Sequence, residues 1–220
     1  MNGLQRVLSW IVTLIVPVAL TLGAVRVALT PAFVRFEYNT PGFPADPYGF
    51  TKEDRLYWSQ IALDYLLNDA GISFLGDLRF ENGAPVYNDR ELRHMVDVKN
   101  AVQTTLLVWY ISLGALVVLG VWAYAGGWWG QFLHGLSRGG WLTLGLIFAV
   151  LVFVLLSFGV FFVAFHEIFF EPGTWSFLWT DTLIRLFPER FWRDVFLVIG
   201  GLAMIGGLIL AFGLRGAKRA

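Results

Sequence analysis

A chain of 220 residues with 57 % hydrophobic content, 17 % aromatic content and a mean hydropathy of +0.64 is far more apolar than a soluble domain of that length requires, and reads as an integral membrane protein. The absence of cysteine excludes disulfides, thiolate nucleophiles, zinc–thiolate sites and iron–sulfur clusters. Sixteen basic residues balance sixteen acidic ones, and with no dense basic run or RNA-binding motif the chain is not expected to bind nucleic acid.

Four stretches reach the roughly 20 apolar residues that a helix needs to cross the hydrocarbon core: 7–29, 101–125, 141–165 and 191–214. The first, preceded by Arg6, resembles a signal peptide, but its apolar run exceeds the length of a signal core and it is expected to be retained. The predicted fold is therefore an all-α single membrane domain over residues 1–220, with four transmembrane helices and both termini on one side. Arg6, Arg138, Arg215, Lys218 and Arg219 fall on that side and none of the sixteen acidic residues does, so it is expected to be cytoplasmic, together with the loop 126–140. Arg26, late in the first span, is expected to snorkel to the outer interface.

The outer region 30–100 is expected to form a small extracytoplasmic cap. Its start, FEYNTPGFPADPYGF, carries Pro41, Pro44 and Pro47 with Gly42 and Gly49, which predicts an extended wrap. Thr51 and Asp54 have capping-box spacing, and Trp58, Ile61, Ala62, Tyr65 and Leu66 form one helical stripe that Gly71 should end. Asn82-Gly83 predicts a β-hairpin, with Pro85 confining its second strand to an edge. Asn88 and Glu91 again have capping spacing, so the second span should begin well before Ala101, projecting above the apolar run. On that helix His94 and Asp97 lie three residues apart on one face, which places Asp97 to orient the imidazole. His94 then sits on the order of 10 Å above the apolar run, at headgroup level.

The outer loop 166–190 is packed with Phe and Trp. Trp175, Trp179, Leu183, Leu186 and Phe187 form a helical stripe, which predicts an interfacial helix over 174–187 that Pro188 stops. His166 directly follows the last apolar residue of the third span, at the depth predicted for His94. Each histidine alone is most simply an amphipathic ring at an interface, and His134 keeps that reading. Two imidazoles at one depth, each beside an acid (Asp97, Glu167) in apolar surroundings, suit acid–base chemistry. HEIFF begins like a zinc-protease helix but lacks its second histidine, so a metal site built from the two histidines with Asp97 or Glu171 is the weaker reading, and no resident metal or other cofactor is expected. A serine hydrolase lacks its G-x-S-x-G, and a transporter lacks its buried charge pair or broken helix.

Four stretches, YGFTKEDR (48–55), RHMVDVK (93–99), FHEIFF (165–170) and DTLIRLFPERFW (181–192), resemble those of the lipoprotein intramolecular transacylases, small bacterial four-span membrane proteins. The resemblance covers most of the chain. It implies transfer of the sn-2 acyl chain of a lipoprotein's diacylglyceryl-cysteine to that cysteine's own α-amine, with diacylated lipoproteins and membrane lipid as partners and no cofactor. It assigns catalysis to His94 and His166; Arg93, Asp97, Lys99 and Glu167 are expected in support, and Phe169, Phe170, Trp175, Asp181 and Glu189 toward substrate. The site is then expected at the outer leaflet. Lys99, a backbone N–H or the second histidine are candidate oxyanion donors, and His94 is the favoured base because of Asp97. A non-catalytic lipid- or partner-binding scaffold is the alternative.

Overall fold

The computed structural model describes residues 3–171 and 173–214, and within them every regular element is a helix: α1 (Gly3–Ala28), α2 (Pro31–Tyr38), α3 (Lys52–Leu67), α4 (Ser73–Gly76), α5 (Asp89–Ala125), α6 (Trp129–Leu156), α7 (Phe158–Phe169), α8 (Thr182–Leu186) and α9 (Glu189–Gly213). Four of them, α1, α5, α6 and α9, are long and apolar enough to cross a membrane. Arg215, Lys218 and Arg219, on which part of the orientation rests, lie outside the described residues.

The expected single domain divides into two compact units. One comprises Met1–Arg26, Thr105–Leu156 and Phe196–Ala220; the other comprises Val27–Thr104 and Ser157–Val195. Helix α5 contributes its first turns to the second unit and the remainder to the first.

In the first unit α1, α6 and α9 approach closely because glycine removes the side chains that would hold their backbones apart. A Cβ on Gly139 would lie 2.5 Å from that of Val16, and one on Gly140 would lie 2.6 Å from the Gly207 carbonyl oxygen. Polar side chains reinforce the seam: Ser9 Oγ donates to the Gln131 carbonyl (2.7 Å) and Thr13 Oγ1 to that of Gly135 (3.2 Å). Leu8, Val12, Val16, Ala123, Trp128 and Phe132 form the core. Between α5 and α6 the chain reverses in three residues. Gly127 takes φ +68°, and the Trp128 and Gly126 N–H groups satisfy the Ala123 and Trp122 carbonyls, a Schellman-type stop. The expected loop 126–140 is thus mostly the first turns of α6, which begins twelve residues before the anticipated Trp141. At its other end the expected continuous span 141–165 is interrupted at Ser157, whose φ −156° and ψ 69° lie outside helical space and separate α7 from α6.

The second unit is built around Ala62, Tyr65, Leu75, Val86, Tyr87, Met95, Leu183 and Leu186. Helix α3 starts at the predicted capping box, with Thr51 Oγ1 accepting from Asp54 N (3.0 Å) and Asp54 Oδ2 from Thr51 N (2.9 Å), but ends at Leu67, before Gly71. Helix α2 was not anticipated: Thr30 caps it, accepting from Phe33 N at 3.2 Å, and Pro31 takes its first position, so the supposed wrap from Phe36 begins inside a helix. The remainder of that stretch, 41–50, is irregular. Arg55 Nη1 donates to the Pro44 carbonyl (2.7 Å), and Arg185 pairs with Asp46 (2.9 Å) across the Phe50 ring.

The predicted hairpin is absent. Gly83 turns the chain at φ +82°, but a single bridge, Arg79 with Pro85, takes the place of a strand pair, since the next rung is diverted: Leu78 N donates to the Leu75 carbonyl (3.2 Å) and the Val86 carbonyl accepts from Thr182 Oγ1 (2.5 Å). The predicted helix over 174–187 reduces to α8, because Asp181 Oδ2 accepts from Leu178 N (2.8 Å) and holds the preceding residues in a turn. Glu37, near the end of α2, is 1 % exposed beside Asp194 of α9. Asp194 pairs with Arg190 (2.7 Å) and Arg193 (3.5 Å), and Glu37 Oε1 has no hydrogen-bond partner.

Candidate active site

Helix α5 begins with reciprocal caps: Asn88 Oδ1 accepts from the N–H groups of Arg90 (3.0 Å) and Glu91 (3.1 Å), while Glu91 Oε2 accepts from Asn88 N (2.8 Å). The other oxygen of Glu91, a residue 1 % exposed, accepts from Leu183 N at 2.7 Å and ties α8 to this first turn. His94 follows on the next turn. His166 comes from the last turn of α7, and the two rings meet at 6.1 Å between centroids and 20° between planes, each residue 8 % exposed. Near-parallel rings at that spacing have no direct hydrogen bond, so a group lying against both is what can exchange protons with them.

Aromatic rings enclose the pair. Phe170 touches both imidazoles (5.0 Å from His94, 5.3 Å from His166), Phe177 packs edge-on to His94 (5.3 Å), and Phe162 (4.0 Å), Phe165 (5.6 Å) and Trp175 (5.0 Å) surround His166. His166 Nδ1 lies 2.7 Å from the Phe162 carbonyl oxygen one turn earlier. A carbonyl can only accept, so Nδ1 carries the hydrogen and Nε2 is left with its lone pair. His94 Nδ1 is buried without a partner. The site thus offers one imidazole with a fixed tautomer and one that is uncommitted.

The expected supporting residues divide. Asp97 makes no hydrogen bond or ion pair with His94. The His94 ring is instead packed among Phe170, Phe177 and His166. Lys99 is 7 % exposed with Nζ committed to the Ala70 carbonyl (2.6 Å) and Asn68 Oδ1 (3.2 Å), over the Tyr65 ring, which removes it as an oxyanion donor. Arg93 and Glu167 are exposed. Glu167 lines a hollow of about 350 Å3 with Gly159, Val160, Val163 and Ala164.

Among the residues expected toward substrate, Phe170 and Trp175 lie on the imidazoles, whereas Phe169 is 56 % exposed and packs on Phe165. Asp181 is an internal strut rather than a free carboxylate: it accepts from Arg90 Nη2 (2.8 Å), Asn88 Nδ2 (3.0 Å) and Leu178 N (2.8 Å), and Arg90 lies over the Phe177 ring. Glu189 is exposed in the first turn of α9, where its charge favours the helix dipole. Phe162, Phe177 and Arg90 were not singled out in advance, and Glu91 was read only as a helix cap. Phe162 is one helical turn before His166, a spacing that does signal the contact. Among the described residues no three His, Asp or Glu side chains gather into a metal-ligating set.

A sequence profile described as lipoprotein intramolecular transacylase Lit matches residues 7–192. An uncharacterized protein of Aquifex aeolicus (strain VF5) is 30 % identical over 224 residues, covering 98 % of this chain and 97 % of its own. Among solved structures, the in meso structure of the membrane integral lipoprotein intramolecular transacylase Lit from Bacillus cereus aligns with a TM-score of 0.82 at 20 % identity, over 100 % of this chain and 99 % of that one. A variant of the same protein with a histidine replaced by alanine aligns with a TM-score of 0.75 at 20 % identity, over 98 % and 96 % of the two chains.

Proposed function

The chain belongs to the lipoprotein intramolecular transacylase family and is a multi-pass membrane protein, and on that footing we propose that it moves the sn-2 acyl chain of a lipoprotein's diacylglyceryl-cysteine to the same cysteine's α-amine. The observation that carries this reading is the pair of enclosed imidazoles, His94 and His166, stacked at 6.1 Å with the His166 tautomer fixed.

The α-amine titrates near 7.7–8.0 and is mostly protonated at neutral pH, so a base must expose its lone pair before it can attack the ester carbonyl. His166 Nε2 is the basic nitrogen, a reversal of the sequence-based preference for His94, which rested on an Asp97 contact that the fold does not make. As nitrogen bonds to the carbonyl carbon, the C=O pair moves to oxygen and the amine proton passes to Nε2. The oxyanion then re-forms the carbonyl, the bond to the glyceryl oxygen breaks, and that oxygen takes a proton from an imidazolium. The products are an amide and a free sn-2 hydroxyl, with no acyl-enzyme; the proton that the ammonium gives up before attack is released to solvent, and the second is the one that reaches the glyceryl oxygen. Acid–base steps of this kind contribute about 10²–10⁴-fold.

The acid-free distribution of Arg6 and Arg138 favours cytoplasmic termini and a site at the outer leaflet, where a lipoprotein's acyl chains lie in lipid and its amine among headgroups. Because the rings are covered, substrate must part Phe170, Trp175 and Phe177, and its acyl chains replace one apolar surface with another.

Intramolecular transfer leaves the mass of the N-terminal peptide unchanged, so fragmentation must report it. In a host lacking N-acylation, co-expression with a lipoprotein should yield N-acyl-dehydroalanyl fragment ions. His94→Asn and His166→Asn should each reduce them by about 10²-fold or more at equal protein level in the membrane. Undiminished N-acylation in both variants refutes the mechanism.

A further inference from the structure

Acyl transfer needs a hydrogen-bond donor where the ester oxygen becomes an oxyanion. Lys99 is committed to Ala70 and Asn68 and Arg93 is exposed, while Arg90, tied to Asp181 through Nη2, keeps a buried unpartnered Nε over the Phe177 ring, on the His94 side of the pair. Two neutral groups there lack a partner: His94, whose Nδ1 can carry either a hydrogen or a lone pair, and Trp175, which can only donate. Trp175 places its ring 5.0 Å from that of His166, and its indole Nε1, although the side chain is partly exposed, is itself buried with no hydrogen-bond partner. An indole N–H can only donate, and a buried donor without an acceptor costs free energy in the resting fold. Trp128 also has an unpartnered indole N–H, but it is enclosed by apolar side chains. Trp175 stands beside a lone pair that would draw a proton from the attacking amine.

We propose that Trp175 is a catalytic residue of the transacylation, its Nε1–H donating to the sn-2 ester carbonyl oxygen and holding the negative charge that develops there. This rests on the transacylase reading. When the amine nitrogen bonds to the carbonyl carbon, the C=O π pair moves onto the oxygen facing the indole while the amine proton goes to His166 Nε2. When the pair returns, the bond between the carbonyl carbon and the glyceryl oxygen breaks, that oxygen takes a proton from an imidazolium, and the indole N–H is released unchanged. The donor does not titrate, so its contribution is independent of pH, unlike that of the imidazoles. Substrate supplies the acceptor that the resting protein lacks, which makes the interaction one of the reacting complex.

The test keeps the ring and removes only the hydrogen. Trp175 is replaced by Phe and, through an unnatural amino acid, by 3-benzothienylalanine, whose sulfur stands where the N–H was. Initial rates are measured with a diacylglyceryl-cysteine peptide in phosphatidylglycerol vesicles. Binding of the same peptide with a phosphonate in place of the sn-2 ester, a mimic of the tetrahedral oxyanion, is measured alongside. Loss of one oxyanion donor should lower kcat by about 10²-fold with KM changed by less than about threefold, and should weaken phosphonate binding by a similar factor. A purely packing role for the ring leaves the benzothienyl variant at the parent kcat, and that result overturns the proposal. If the Phe variant fails to fold, the benzothienyl isostere decides alone. A parent chain that forms no N-acyl product overturns the transacylase reading itself, and the inference falls with it.

Discussion

Glu37 gives the sharpest test of the second unit's electrostatics, because it is buried among groups that oppose its ionisation. Burial chiefly, and then the Asp194 carboxylate beside it, push its carboxyl up to about 7, against a weaker opposing pull from Arg190. The unfolded chain returns it to about 4.5. Between those values the folded state binds the proton and the unfolded state does not, so stability is fully present below about pH 4.5 and is lost as pH rises to about 7. A displacement of about 2.5 units corresponds to on the order of 3 kcal/mol, with a residue 1 % exposed leaving little solvent screening. Glu37→Gln keeps the shape of the protonated form and cannot ionise. In detergent the variant should melt close to the parent at pH 4.5 and roughly 6–12 °C above it at pH 8.5, at 2–4 °C per kcal/mol for a chain of this size. A parent and variant whose melting temperatures run parallel across that range refute a buried, proton-holding Glu37.

Two further perturbations address separate parts of the molecule. Asp181→Ala removes the acceptor for Arg90, Asn88 and Leu178 N, and should cost about 1–3 kcal/mol locally. Hydrogen exchange at the amides of Phe177 and Leu178 should quicken roughly tenfold or more, and unchanged exchange there refutes the strut. Gly140→Ala puts a methyl 2.6 Å from the Gly207 carbonyl oxygen and 2.8 Å from Ala211 N, backbone atoms that cannot rotate away, and should destabilise by about 1–3 kcal/mol. Gly145→Ala, which meets nothing within 4 Å, should be neutral or slightly stabilising, so equal melting temperatures for the two variants would refute the close α6–α9 seam.

The apolar runs were legible because crossing a hydrocarbon layer requires length, and length survives any packing. The interruption at Ser157 was not, since hydropathy responds to side chains and the break is a backbone torsion within LLSFGVFF, as apolar as its flanks. Thr30-Pro31 did announce α2, but the prolines and glycines after it drew the whole stretch into one irregular reading. Trp175, Trp179 and Leu183 satisfied a helical period by coincidence: Trp175 takes its place from His166 and Leu183 from Glu91, partners on other elements. Counting residues from the apolar edge brought His94 and His166 to one depth. It could not show that Lys99, five residues past His94, is held by Asn68 and Ala70 some thirty residues upstream.

A site without charged side chains touching the reacting pair is an unusual setting for acid–base chemistry, and the proposed reaction explains why it suffices. Amine and ester belong to one molecule, so the protein need only hold two groups already tethered, a situation in which effective concentrations reach about 10⁵–10⁸ M. Water is then the main competitor for the ester, and a shell of Phe162, Phe165, Phe170, Trp175 and Phe177 around rings 8 % exposed excludes it better than a polar pocket would. An aspartate against His94 would strengthen one imidazolium but would also bring its own hydration shell into the cavity. The backbone carbonyl of Phe162 fixes the His166 tautomer without that cost, because its partner bonds already lie within the helix. Introducing a carboxylate at Phe162 or Phe165 should therefore shift the balance from N-acylation toward release of free fatty acid, even where it raises the basicity of His166.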